Sequence, residues 1–263
     1  MMNNHLQLIL RYFRYYLTAT NRHGLQGPFA FALNEAVFRR DHSEDVHASI
    51  EALRHEMLKD HSKINIRDFG AGFGGKNYHE RSVSYVARHS AKPPKYARML
   101  YRLVKHLQPA VIVELGTSFG ISALNQAAGN PAATIYTLEG CPATAAKARE
   151  NFKRFPQYKI EVVEGPFAET LPSLLKRIPS VDYVYIDGHH RLEPTLQYAA
   201  LCKPFLNPNA VVIADDINWS SEMQEAWQQL KADPFFTQSI DVFMMGLLFT
   251  NNDLSKENFV VRY

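Results

Sequence analysis

Apolar and polar positions change rhythm near residue 108. Before it, apolar positions recur mainly at helical spacing. Leu6, Leu8, Ile9, Leu10, Tyr12, Phe13 and Tyr16 predict an amphipathic or buried helix close to the start. "HGLQGPF" (23–29) interrupts with glycine and proline. "DVHASIEALRHEMLK" (45–59) predicts a second helix, and "KYARMLYRLVKHLQ" (95–108) a third, opened by Pro94. The one strand candidate in this part is "KINIRDF". From residue 110 the pattern becomes short apolar runs rich in β-branched and aromatic residues: "AVIVEL", "TIYTLE", "KIEVVE", "VDYVYID" and "AVVIAD". Helical stretches at about 121–129, 142–154, 168–177 and 192–205 separate them. Such alternation predicts a parallel sheet covered on both faces. "QSIDVFMMGLLFT" (238–250) and "NFVVRY" (258–263) read as a hairpin that completes a seven-stranded sheet with an antiparallel C-terminal strand.

Two stretches carry the glycine density of a nucleotide loop, "DFGAGFGG" (68–75) and "ELGTSFG" (114–120). Such a loop needs an apolar strand before it, a helix after it, and a second strand about 20 residues on that ends in an acid for ribose hydroxyls. "AVIVELGTSFGISALNQAA" followed by "TIYTLEG" meets all three conditions, with Glu139 as the acid. "DFGAGFGG" follows a short polar strand and meets none of the later ones. It reads as a lid beside the site or as an ordinary surface turn. The spacing Gly116-x-x-x-Gly120 is not the nicotinamide Gly-x-Gly-x-x-Gly. Glu114 at the end of the first strand suits a cofactor that brings an amino group to the loop. S-adenosylmethionine has that group and no pyrophosphate.

In open α/β sheets, chemistry sits outside the carboxyl ends of the strands. "YVYIDGHH" places Asp187, His189 and His190 after the fourth strand, and "VVIADDINW" places Asp215, Asp216 and Trp219 after the fifth. Converging carboxylates repel unless protonated or bound to a cation. Hard oxygen donors suit Mg2+, Mn2+ or Ca2+. The alternative is a metal-free edge with Asp216 capping the helix near "SSEMQEAW". His190 or His189 can take a hydroxyl proton near neutrality, ligate a metal, or simply bond the backbone. Trp219 reads as core packing or as a stacking wall for an aromatic acceptor. Tyr183 and Tyr185 read as core.

"VELGTSFGIS", "YTLEG" and "VYIDGHH", in that order, resemble class I S-adenosylmethionine-dependent methyltransferases. Within them the chain is most similar to catechol-type and caffeoyl-coenzyme-A-type O-methyltransferases. It also resembles a bacterial group of unassigned substrate, through the "HGLQGPF", "KPPKY" and "DDINWS" segments. The resemblance implies a Rossmann-like α/β domain over 95–263, with residues 1–94 as a helical cap, lid or dimerisation region. It implies Glu114, Gly116 and Thr117 at the methionine end of S-adenosylmethionine, with Gly120 and Ser122 in the same loop. Glu139 and the adjoining Gly140 take the ribose, Gly165 to Phe167 and Ala168 line the adenine, and Asp187 closes the cofactor set. It further implies a divalent ion on Asp187, Asp215 and Asp216, where the family pattern has asparagine at the last position. His190 stands where that pattern has a lysine base. The implied reaction is O-methylation of a small hydroxylated acceptor, with catalysis by Asp187, His190 and His189. Acceptor choice falls to the N-terminal region, where His23, Asp68, His79 and Arg81 are candidates or plain surface residues.

Composition narrows the field further. Hydrophobic residues make up 46% and charged residues 21% of 263 residues, which excludes a disordered chain. Net charge is +3, without a basic run able to track a phosphate backbone, which disfavours nucleic acid as partner. Arg11 and Arg14 interrupt the apolar start, so neither a signal peptide nor a membrane span is expected. Cys141 and Cys202 form no metal or redox motif and fit a reducing, cytoplasmic compartment. Two rival readings keep the cofactor. One is a methyltransferase acting on nitrogen or on a macromolecule. The other is a non-catalytic S-adenosylmethionine-binding assembly protein, whose aromatic N-terminal helices form a homodimer.

Overall fold

The computed structural model describes residues 4–20, 25, 27–39, 46–67 and 78–263. The glycine-rich stretch 68–77, with Asp68, and His23 lie outside the described residues. The chain opens with α1 (Asn4–Thr18) and α2 (Pro28–Leu33), the latter continuing as a π-helical turn over Asn34–Phe38. Then come α3 (Val46–Lys59), β1 (Lys63–Arg67), β2 (Tyr78–Ser82), α4 (Val83–Ser90) and α5 (Pro94–Leu107). Strand and helix alternate from there: β3 (Val111–Leu115), α6 (Ile121–Gly129), β4 (Thr134–Glu139), α7 (Pro142–Phe152), β5 (Lys159–Glu164), α8 (Phe167–Arg177), β6 (Val181–Ile186) and α9 (Leu192–Cys202). The chain finishes with β7 (Leu206–Asp215), α10 (Ser221–Ala232), β8 (Gln238–Asp241), β9 (Met245–Phe249) and β10 (Glu257–Val260).

The chain forms two compact units, residues 40–179 and residues 1–39 with 180–263. This division differs from the break expected at residue 94, and the packing explains it. In the 40–179 unit, Ile50, Leu53 and Met57 of α3 and Val83 and Ala87 of α4 share one core with Tyr101 of α5 and Ile121 and Leu124 of α6. Burial of that kind, at about 25 cal/mol per Å2 of apolar surface, binds these helices to Ile160 of β5, which pairs in parallel with β4 as β4 does with β3. Helix boundaries follow local chemistry. Ser82 caps α4 by accepting from Tyr85 N at 3.1 Å, Pro94 sits in the first turn of α5, and Gln108 ends that helix in a left-handed conformation, φ 51°.

In the other unit, β6 and β7 run parallel, as their expected neighbourhood requires. The closing hairpin differs from expectation. Residues 238–250 are not one strand but two: β8 and β9 pair antiparallel with each other, β9 pairs antiparallel with β7, and β10 lies parallel to β8. The antiparallel strand is therefore β9, and among the described residues β3 to β10 make eight sheet strands where seven are expected. Asp241 and Phe243 make the turn that splits the run. The Asp241 carboxylate accepts from Phe243 N at 2.8 Å, and Phe243 adopts φ 71°. The chain ends meet in this unit. Thr20 bridges Val261, and the Tyr15 hydroxyl donates to Val261 O at 2.5 Å while accepting from Tyr263 N at 3.0 Å.

Candidate cofactor cradle and acid–imidazole cluster

In the 40–179 unit the glycine loop forms after β3, as its sequence context requires. Gly116 N and Thr117 N both donate to Leu138 O of β4, at 3.0 and 3.1 Å, and Gly120 N donates to Thr117 O at 2.8 Å. Gly120 opens α6 at φ 85°, and a Cβ there would lie 2.3 Å from Cε1 of Phe152. No other residue type fits that position without moving the ring. Ser122 lies buried in the first turn of α6.

Glu139 stands at the end of β4 with its carboxylate clamped by the loop. Oε2 accepts from Ser118 N at 2.8 Å and Oε1 from Cys141 N at 2.9 Å. Burial pushes its carboxyl up, against the backbone N–H groups of Cys141, Ser118 and Gly140 and the Thr144 side chain, which pull it down. The two bonds with printed geometry, from Ser118 N and Cys141 N, each take one lone pair of a carboxylate oxygen, and each oxygen has a second. Gly165, at φ 135°, donates its N–H to Glu139 O at 2.9 Å, and Phe167 opens α8 two residues later. Glu139, Gly140, Gly165 and Phe167 are thus brought together with Gly116, Thr117 and Gly120 around neighbouring strand ends.

The Glu114 side chain is fully enclosed, at 0% exposure. Oε1 accepts from Gln126 Nε2 at 2.8 Å and Oε2 from the Thr137 hydroxyl at 2.6 Å. The Thr137 hydroxyl also shares a 2.7 Å hydrogen bond with that of Thr117. Glu114 thereby braces the loop from beneath through Gln126 and Thr137. Its partners Gln126 and Thr137 escaped the sequence reading. The signal for Gln126 was present, since a polar side chain within the apolar run "ISALNQAAG" needs a buried partner. Also unforeseen is Ser90 at the end of α4, whose hydroxyl lies 2.8 Å from that of Ser118 in the loop.

The acids and histidines of the 180–263 unit form a second cluster. Asp187 follows β6, and its Oδ2 accepts from the hydroxyl of the fully buried Tyr185 at 3.1 Å. The adjoining turn runs through His189 and His190, both left-handed, at φ 64° and 38°. That geometry sends the two imidazoles different ways. His189 Nδ1 lies 2.8 Å from the Tyr198 hydroxyl of α9. His190 turns to the acids, with Nε2 3.7 Å from Asp187 Oδ1 and Nδ1 3.8 Å from Asp216 Oδ2.

Asp215, buried at the end of β7, completes a group with Asp187 and His190 whose donor atoms all lie within 4.8 Å of one another. That span is compatible with metal–ligand bonds of about 2.0–2.6 Å. Two carboxylates and an imidazole suit a first-row ion such as Mn2+ better than Mg2+ or Ca2+. Asp216 is not one of the three and meets the group only through His190. It does not cap α10 either, because Ser220 does so by accepting from Met223 N at 3.1 Å. Asp216 sits at φ 52°, a conformation that Asn and Asp adopt more readily than other non-glycine residues. Aspartate therefore replaces asparagine there without a backbone penalty. Trp219 is not core: it is 59% exposed. Tyr183 and Tyr185 are fully buried. His79 and Arg81 lie on β2, paired with Ile66 and Ile64.

Residues 113–217, which hold both clusters, match the family model described as a methyltransferase domain. The O-methyltransferase ankF of Aspergillus thermomutatus is 30% identical over 47% of this chain and 52% of its own length. A catechol O-methyltransferase of Mycobacterium tuberculosis is 29% identical over 52% of this chain and 64% of its own. The chain thus spans about half to two thirds of the curated relatives it matches. Among solved structures, the S-adenosylhomocysteine-bound Podospora anserina methyltransferase PaMTH1 is similar over 87% of this chain and 97% of that one, with a TM-score of 0.60 at 16% identity. The likeness establishes the Rossmann-like α/β fold read from the strand–helix alternation. Among the described residues no helix is long and apolar enough to cross a membrane.

Proposed function

We propose that this chain is an S-adenosylmethionine-dependent methyltransferase that transfers a methyl group to a hydroxyl oxygen of a small acceptor in the cytoplasm. The observation that carries the reading is the Glu139 carboxylate, held by Ser118 N and Cys141 N beside a loop opened by Gly120. A ribose diol is the ligand chemistry such a carboxylate takes, and the loop backbone, braced from below by Glu114, receives the amino-acid end. The methyltransferase-domain match over 113–217 and the catalytic names of the relatives support the enzyme over an inert binder.

The transfer is an in-line displacement. An oxygen lone pair forms the new O–CH3 bond, the S–CH3 bond breaks, and the sulfonium leaves as a neutral thioether. The acceptor's proton must depart, and His190 takes it. Both of its ring nitrogens face a carboxylate, Asp187 at 3.7 Å and Asp216 at 3.8 Å, so that whichever nitrogen takes the proton lies beside an acceptor. His189, bound to Tyr198, holds the turn that aims His190. Asp187, Asp215 and His190 would hold a divalent ion, which when bound lowers the pKa of a hydroxyl; His190 would then serve as ligand rather than base.

Two measurements test the reading. Calorimetry with S-adenosylhomocysteine and with NAD should give binding to the first only; no affinity for S-adenosylhomocysteine sinks the proposal. Methyl release with catechol-like acceptors, with and without chelator, should show turnover. Turnover that survives excess chelator removes the metal and leaves His190 as base.

A further inference from the structure

Among the described residues the Asp216 carboxylate makes no hydrogen bond of its own, and its ion-pair partner there is His190, at 3.8 Å. Its place opposite that imidazole is therefore set by the backbone of its turn. That backbone is left-handed at Asp216, φ 52°, a region that a non-glycine residue leaves unless its surroundings hold it there. Trp219 N donates to Asp216 O at 2.9 Å and closes the turn, and Ile217 N donates to Met244 O at 3.2 Å. Between them the Asn218 side chain spans two elements. Its Nδ2 donates to Phe243 O at 2.8 Å, and its Oδ1 accepts from Gln224 Nε2 of α10 at 3.1 Å. The Phe243 carbonyl fixes the way the amide turns, since a carbonyl only accepts and must face the NH2.

From these observations we infer that Asn218 is a positioning residue of the methyl-transfer site: it clamps the acid turn to the β8–β9 turn and so keeps Asp216 across from His190. The inference rests on the role given to His190 above. The anchor that Asn218 grips is itself held. The Asp241 carboxylate accepts from Phe243 N at 2.8 Å and from Trp227 Nε1 of α10 at 3.2 Å, and Val242 N donates to Met245 O at 3.0 Å. Gly246 of β9 makes room for that indole, because a Cβ there would lie 2.5 Å from the Trp227 ring. From α1, the Arg11 guanidinium donates to Asn218 O and Trp219 O, at 3.0 and 3.1 Å. Asn218 is thus gripped from α1, from α10 and from the β8–β9 turn. The start of α10 does not need this, since Ser220 already caps it. The bonds serve the turn that carries Asp216.

Asn218→Ala tests the clamp in two ways. Hydrogen exchange at Ile217 N and Trp219 N should quicken by about tenfold more than at Ile213 of β7. The kcat of methyl transfer should fall about tenfold, less than the roughly 10²- to 10⁴-fold that removal of a base costs, while KM for S-adenosylmethionine stays within about twofold. A cycle with Asp216→Asn separates positioning from stability alone. That variant keeps a residue type suited to the left-handed backbone and loses the charge, so Asn218→Ala added to it should change kcat by less than about twofold. Should alanine unfold the chain, Asn218→Leu, which has the same shape without the amide, takes its place in each measurement. Unchanged exchange, or the same fall in kcat with and without Asp216→Asn, would overturn the inference. A parent without turnover sinks the reaction proposed above, and the exchange result alone then decides the clamp.

Discussion

Glu139→Gln exchanges one carboxylate oxygen for an amide group that donates. In the native chain the two oxygens accept from Ser118 N and Cys141 N, at 2.8 and 2.9 Å. Whichever way the glutamine amide turns, its NH2 meets one of these N–H groups, and that donor loses its acceptor. A buried donor left unsatisfied costs about 1–3 kcal/mol, so the free protein should lose about that much stability to urea. The ribose diol also loses a charged acceptor. A hydrogen bond to a charged group contributes about 1.5–3 kcal/mol, which raises the dissociation constant for S-adenosylhomocysteine about 10- to 150-fold. Acid should mimic the variant. Because burial lifts the carboxyl of the free protein above the ordinary glutamate range, affinity should fall as pH drops through that raised value, and Glu139→Gln should abolish the slope. Stability has the opposite sign. The native state holds this proton to higher pH than the unfolded chain, so the group's contribution falls as pH rises through the window between the two pKa values. Calorimetric titration between pH 5 and 8 reads the binding side. A variant that loses stability yet binds within twofold of the parent, with the same pH slope, refutes the assignment of Glu139 to the ribose.

Three further outcomes follow from other parts of the molecule. His190→Gln should slow methyl transfer by about 10²- to 10⁴-fold with S-adenosylhomocysteine affinity intact, whereas His189→Gln, which can still bond Tyr198, should leave most of the rate; equal losses in single-turnover assays would contradict the division of roles. Asp233 has its carboxyl held low: burial raises it, but the Lys203 hydrogen bond, Phe235 N–H and the nearby Lys256 charge outweigh that. Its stabilisation is therefore present above the unfolded pKa and lost as pH falls through the native one, and Asp233→Asn should cost about 1 kcal/mol at pH 7 in urea melts and progressively less as pH falls below the ordinary aspartate range. Gly120→Ala should cost roughly 2–4 kcal/mol, from a left-handed alanine plus displacement of the Phe152 ring, and a shift in urea midpoint under 0.5 M would show that the loop relaxes freely.

The alternation of β3 through β7 with their helices was legible because buried parallel strands write themselves as uninterrupted apolar runs. The position of Glu139, at the end of such a run beside a glycine loop, was legible for a related reason. What stayed hidden depends on contacts distant in sequence. The split of 238–250 into β8 and β9 hinges on Asp241 accepting from Phe243 N, and the run "FMMGLLF" carries no turn residue strong enough to mark it. The enclosure of Glu114 needs Gln126 and Thr137, 12 and 23 residues away. Which histidine faces the acids rests on two left-handed residues in succession, and nothing in "DGHH" distinguishes His189 from His190.

The seam between Thr20 and Val261 bears on synthesis. Residues 40–179 are one uninterrupted stretch and can fold as soon as they clear the ribosome. The unit holding α1 must wait, because its first segment closes against the last residues to be made. Throughout that interval the helix waits with the side meant for Phe243 bare. Nascent chains halted at residue 179 should accordingly recruit a holdase through residues 6–17, and release it once Val261 emerges.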